Sequence, residues 1–197
     1  MGFFKGLRGT DHSEAAQAAL ETLKAGLPEG WEVTDFRNQL VGRRPVKLVT
    51  YGGVAHGPDG PMVVLGVDDV ETVQALGRAV AGATRPTRTW APPVIGVPGE
   101  HLRQPWKYTP ESAEEAVARD EVLALLGSEA VLSPVDRERF GPVEVCGLTV
   151  HLPDETGISA LSLDALTVHQ ALAERLRGEL EPTTTWHVAP AQEPSYR

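Results

Sequence analysis

The chain has 197 residues, 41% of them hydrophobic, and a net charge of −9. That apolar content supports an ordinary core and rules out a disordered chain, while the acidic balance excludes a uniformly basic nucleic-acid binder. A single cysteine, Cys146, excludes an internal disulfide, and no apolar run approaches the ~20 residues of a membrane span. The opening stretch MGFFKGLRG lacks the apolar core of a signal peptide, so a cytoplasmic location is expected. The charge is unevenly placed. Residues 1–90 hold ten Lys/Arg and ten Asp/Glu, and residues 91–197 hold eight and seventeen, which concentrates the whole −9 in the second part. Such asymmetry suits a partner that reads one face.

In chain order, the first predicted element is a helix from about Ser13 to Ala25, with Ala16, Ala19, Leu20 and Leu23 at helical spacing and Gly26 at the stop position. Strands are expected at 31–36 (WEVTDF) and 45–51 (PVKLVTY). A GPDG turn at 57–60 leads to a strand at 62–67. Asp68 followed by Glu71 has the spacing of a capping box, and Val70, Val73, Leu76 and Val80 form the buried stripe of the helix it opens. The pentapeptide PTRTW follows at 86–90, then a segment at 91–108 with four prolines that reads as a linker. Thr109-Pro110 offers a cap and first-turn proline for a helix ending at Gly127. Strands are expected at 129–133 and 142–151, a PDETG turn at 153–157, and a strand at 158–163. A helix capped by Asp164 and the pentapeptide PTTTW at 182–186 complete the pattern.

The second series repeats the first. At an offset of 96, residues 62–90 and 158–186 share Asp68/Asp164, Gln74/Gln170, Leu76/Leu172, Gly82/Gly178 and four of the five pentapeptide positions. RPVKLV at 44–49 also matches GPVEVC at 141–146, at an offset of 97. These matches indicate an internal duplication of an α-β-β-β-α-β unit. The expected fold is α+β: antiparallel sheets with helices packed on one face, and two halves in a pseudo-two-fold arrangement. The first repeat covers 1–90, the linker 91–108, the second repeat 109–190 and a tail 191–197. Each half is small for independent stability, so the halves are expected to pack on each other. In the pentapeptide, proline ends the preceding helix and the two threonines favour an extended strand with tryptophan on its opposite face. Trp90 and Trp186 are thus expected to be buried at matching places.

Little in the sequence points to chemistry. None of the six histidines has a His or Cys partner at structural-zinc spacing, so no metal and no cofactor are expected. YGGVAHG at 51–57 fits neither nucleotide-loop pattern, and there is no G-x-S-x-G. Cys146 aligns with Val49 and reads as a core thiol rather than a nucleophile. No catalytic residue is therefore assigned. Candidate binding residues are Trp106 and Tyr108 in the linker, Arg43 and Arg44 in the one basic run, and His56 and His151 near the two equivalent turns, each with an aspartate (Asp59, Asp154) close by. Three functions remain open. The first is a non-catalytic protein-binding module, as an adaptor, chaperone-like or immunity-like protein. The second is a ligand-binding protein or enzyme with a cleft between the halves, and the third is a structural component of an assembly. A protein partner is expected, with no nucleic acid.

Overall fold

The computed structural model describes residues 12–41, 48–96 and 109–188. Among these, α1 (Glu14–Ala25), β1 (Glu32–Val41), β2 (Leu48–Gly57), β3 (Gly60–Gly66), α2 (Asp69–Val80), β4 (Thr89–Trp90) and β5 (Ile95–Gly96) form the first series. The second comprises α3 (Ala113–Leu125), β6 (Val131–Leu132), β7 (Asp136–Phe140), β8 (Val143–His151), β9 (Thr156–Ser162), α4 (Ala165–Leu176) and β10 (Thr185–Val188). The fold is α+β with antiparallel sheets. One sheet runs β1-β2-β3-β10; the other runs β4-β9-β8-β6, with β5 also paired to β9 and β7 to β8.

Local signals set most helix starts. Ser13, Asp68 and Asp164 accept the amide hydrogens of Ala16, Glu71 and Thr167 at 3.1, 2.8 and 2.7 Å, satisfying donors that a first turn leaves without helical acceptors. α3 departs from expectation. Its cap is Ser112 rather than Thr109, because Ser112 accepts from the Glu115 amide while the Glu115 carboxylate reaches back to the Glu111 amide. The two bonds satisfy the Glu115 and Glu111 amides and tie the first turn to the residue before its cap, which a lone threonine cap cannot do. α1 ends at Gly26 with φ −102°, so that glycine stops the helix without entering the left-handed region.

Each sheet is covered on both sides. Alternate residues of a strand face opposite ways, and here both directions are apolar: Val64 joins Leu76 and Ala79 of α2, while Val63 and Leu65 join the cluster between the sheets. In the other sheet Ala160 packs with Leu172 of α4, and Leu161 faces the inter-sheet cluster with Trp90, Trp186 and Phe140. The layers are thus helix, sheet, sheet, helix. Gly52 shows how closely the sheets meet, since a Cβ there would lie 2.7 Å from Phe140 Cδ1.

The closing strands exchange. β4 of the first series pairs with β9 of the second, Thr89 opposite Ser162 and Trp90 opposite Leu161. β10 of the second series pairs with β3 of the first, Thr185 opposite Gly66 and Trp186 opposite Leu65. Every residue in one set lies 96 positions from its counterpart in the other. Hydrogen bonds follow the same rule. Trp90 Nε1 donates to the Thr183 carbonyl at 2.8 Å, and Trp186 Nε1 donates to the Thr87 carbonyl at 3.1 Å. The Thr183 amide donates to Ala91, and the Thr87 amide to His187, at 2.8 and 2.9 Å. Both indoles are 2% exposed and stack with centroids 6.2 Å apart. They are buried at matching places, as the pentapeptides require.

Strand pairing corrects one register. Gly52 lies opposite Leu65, and Gly147 opposite Leu161, so β2 corresponds to β8 at an offset of 95, not 97. Between the paired positions His56/Pro61 and His151/Gly157 the second turn has one more residue, with Glu155 at φ 62°. That residue accounts for the step from 95 to 96. β1 also has a divided counterpart. Val131 and Leu132 pair with the far end of β8, and Asp136–Phe140 with its near end. Pro134, which has no amide hydrogen for the ladder, divides the strand near the place where β1 carries only a bulge, between Val33 and Asp35. The stretch 136–140 was not expected as a strand, and 91–96, expected as linker, includes β5.

Two outcomes follow from this interlocking. Helix circular dichroism and tryptophan fluorescence trace one coincident urea transition, whereas halves that fold separately would give two. Trp90→Ala or Trp186→Ala lowers the unfolding free energy by about 3–5 kcal/mol, read from denaturation midpoints.

Candidate functional site

The exchange leaves a groove of about 300 Å³ where the two pentapeptide segments pass each other. Both walls begin the same way. α2 is closed by Gly82 (φ 71°) and α4 is followed by Gly178 (φ 75°). The next amides, Ala83 and Glu179, reach back to the carbonyls of Arg78 and Glu174, each at 2.8 Å. This left-handed closure turns the chain sharply out of each helix. Pro86 and Pro182 then keep it extended. Thr87, Thr89, Thr183 and Thr185 line the groove from the two sides, with Trp90 and Trp186 in its inner wall. The threonines are held alike: Thr87 Oγ1 donates to the Thr89 carbonyl at 3.1 Å, and Thr183 Oγ1 to the Thr185 carbonyl at 3.0 Å.

The charges do not match across the groove. Arg78 and Arg85 line it from the first half; the positions 96 later are Glu174 and Glu181, of which Glu181 also lines it. Arg78, Arg85 and Glu181 are exposed, and among the described residues none of the three side chains is in an ion pair or hydrogen bond. Arg88, by contrast, is held 3.2 Å from Asp164. His187 lies in the lining with Nδ1 3.2 Å from Thr84 Oγ1. Burial pushes its pKa below the ordinary value, so the imidazole is neutral at pH 7.

The residues singled out in the sequence lie elsewhere. Trp106, Tyr108, Arg43 and Arg44 fall outside the described residues. His56 and His151 occupy corresponding ladder positions, opposite Pro61 and Gly157. His56 is exposed and His151 is 2% exposed, and neither lines the groove. Asp154 accepts from the Thr156 amide and hydroxyl at 3.1 and 2.5 Å, so it holds its own turn. Sequence reasoning missed Arg78, Arg85, Glu181 and His187. The available signal was the repeated pentapeptide, which brings positions 96 apart to one place.

Two buried titratable groups lie outside the groove lining. His169 of α4 is fully buried, and its Nδ1 lies 2.7 Å from the Ala165 carbonyl and 3.8 Å from a Glu115 oxygen. A carbonyl can only accept, so Nδ1 carries the hydrogen. Burial lowers the pKa of this imidazole, against the pull of that carbonyl and of Glu115. The Cys146 thiol is fully buried and pushed up to about 11 by desolvation, which leaves it protonated and unreactive at neutral pH. Among the described residues no cluster of three His, Cys, Asp or Glu is placed to hold a metal ion.

Compared with protein families, curated proteins and solved structures, the chain matches none.

The two lowered histidines set a pH dependence. An unfolded histidine protonates near 6.5, whereas His169 and His187 in the folded chain resist protonation until lower pH. The unfolded state therefore binds more protons in that interval, so stability is complete above about pH 6.5 and falls as pH drops through it. Urea midpoints measured at about pH 7.5 and 5.5 show this loss, and His169→Asn and His187→Asn each reduce it.

Proposed function

We propose that this chain is a non-catalytic protein-binding module built from a duplicated α-β-β-β-α-β unit, with the groove at the junction of its halves as the docking site. The observation that carries this reading is the lining of that groove. Exposed threonines from both pentapeptides, two arginines and a glutamate without described partners, and a neutral histidine surround a concave surface backed by two indoles. These are recognition groups: hydroxyls and charged side chains fix orientation, and apolar surface supplies contact area. The uneven charge of the chain favours a partner over a purely structural role. A second reading, a small-ligand site, is favoured by the groove's volume, which falls at the low end of ligand pockets.

Tagged full-length chain recovered from its native host tests the first reading. Wild type retains a stoichiometric protein partner, and Thr183→Arg, which fills the groove from an exposed position, loses it at unchanged melting temperature. Equal recovery by both proteins, or no partner with wild type, contradicts it.

A further inference from the structure

Resting on the groove as a protein-docking site, we propose that the partner segment it receives is acidic, with carboxylates placed against Arg78 and Arg85. The inference comes from a sign reversal. The two walls descend from corresponding stretches and share their glycine closure, their proline and their threonines. At two positions they carry opposite charge: Arg78 against Glu174, and Arg85 against Glu181. The fold does not require the arginines. Both are exposed, both line the groove, and neither guanidinium is paired with a described residue. Among the described residues other exposed arginines are occupied, as Arg88 is with Asp164 and Arg137 with Glu111 and Glu144.

A guanidinium presents a planar fork of donors that matches a carboxylate in two parallel hydrogen bonds. Two such groups on the wall contributed by the first half give it a run of cationic donors unpaired among the described residues. Glu181 faces the same space and repels a second carboxylate, which orients the segment with its acidic end at the first half. The overall charge of −9 does not oppose this. Exposed charges are screened within ~8 Å at physiological ionic strength, and the half that supplies the arginines is neutral overall, with ten positive and ten negative side chains in residues 1–90.

The test uses the full chain, a fluorescein-labelled hexaglutamate peptide and its hexaglutamine counterpart. Fluorescence polarisation gives affinity, and amide chemical shifts locate the contact. Hexaglutamate is expected to bind and to shift the amides of Arg85, Thr87 and Thr183, while hexaglutamine binds less tightly. Arg78→Gln/Arg85→Gln, at exposed sites and of unchanged circular dichroism, weakens hexaglutamate by about five- to tenfold. Glu181→Gln tightens it, and added salt weakens it. Equal binding of both peptides at the groove amides overturns the acidic assignment and leaves the groove reading standing. Absence of any groove shift with hexaglutamate, or an unchanged affinity in the double arginine variant, also overturns the assignment. Capture by wild type and not by Thr183→Arg decides the groove itself separately.

Discussion

The reciprocal seating of two indoles holds the two halves together, and much else depends on it. Trp90 bonds to the Thr183 carbonyl and Trp186 to that of Thr87, so each tryptophan anchors the strand that carries the other. A buried indole must find an acceptor for its one N–H. Here the acceptor belongs to the opposite half, which makes the burial of either ring conditional on both closing strands being in place. The same relation appears at the far edge of the sheets. Gln39 of β1 donates to Glu138 of β7 at 2.9 Å, and those residues lie opposite Thr50 and Val145, which correspond at the β2/β8 offset of 95. Corresponding positions touch each other at both ends of the inter-sheet core, as a two-fold relation demands.

The groove follows from that exchange. If β4 paired with its own half, Thr87 and Thr183 would sit on separate sheets and no common surface would form between them. Crossing the strands brings two segments with the same backbone and different side chains face to face. The backbone correspondence serves assembly, while the differences at Arg78, Arg85 and Ala91 against Glu174, Glu181 and His187 give the groove direction.

How much of this was legible in the sequence varied by element. Asp68 and Asp164 announced two helices because capping is a local interaction. The start of α3 was misplaced because Thr109-Pro110 is also a sound local signal, and only the bonds of Glu115, its amide to Ser112 and its carboxylate to the Glu111 amide, decide between them. The strand DRERF was hidden by charge. An edge strand tolerates exposed charged side chains, and Arg137 and Arg139 alternate outward with Phe140 alone fully buried. The similarity of PVKLV to PVEVC suggested an offset two residues from the true one. A shift of two preserves which face each side chain points to, so hydrophobic patterning cannot detect it. The exchange of β4 and β10 was equally invisible: swapping corresponding strands between similar units leaves every local pattern unchanged. With the exchange hidden, nothing in the sequence groups the groove residues, and His56 and His151 stand out instead, although they correspond in register and line nothing in common.

Disulfide trapping at β4 tests the exchanged pairing most directly. In a Cys146→Ala background, Thr89→Cys with Ser162→Cys joins residues that face each other across the exchanged ladder, where paired Cα atoms lie within disulfide reach. Ser162→Cys with Thr185→Cys joins the positions that unexchanged halves would bring together, since Thr185 lies 96 residues after Thr89 and pairs with Gly66 in the exchanged fold. Efficient intramolecular oxidation of the 89/162 pair is expected, with none of the 162/185 pair under the same conditions. Oxidation of 162/185 in preference to 89/162 would contradict the exchange.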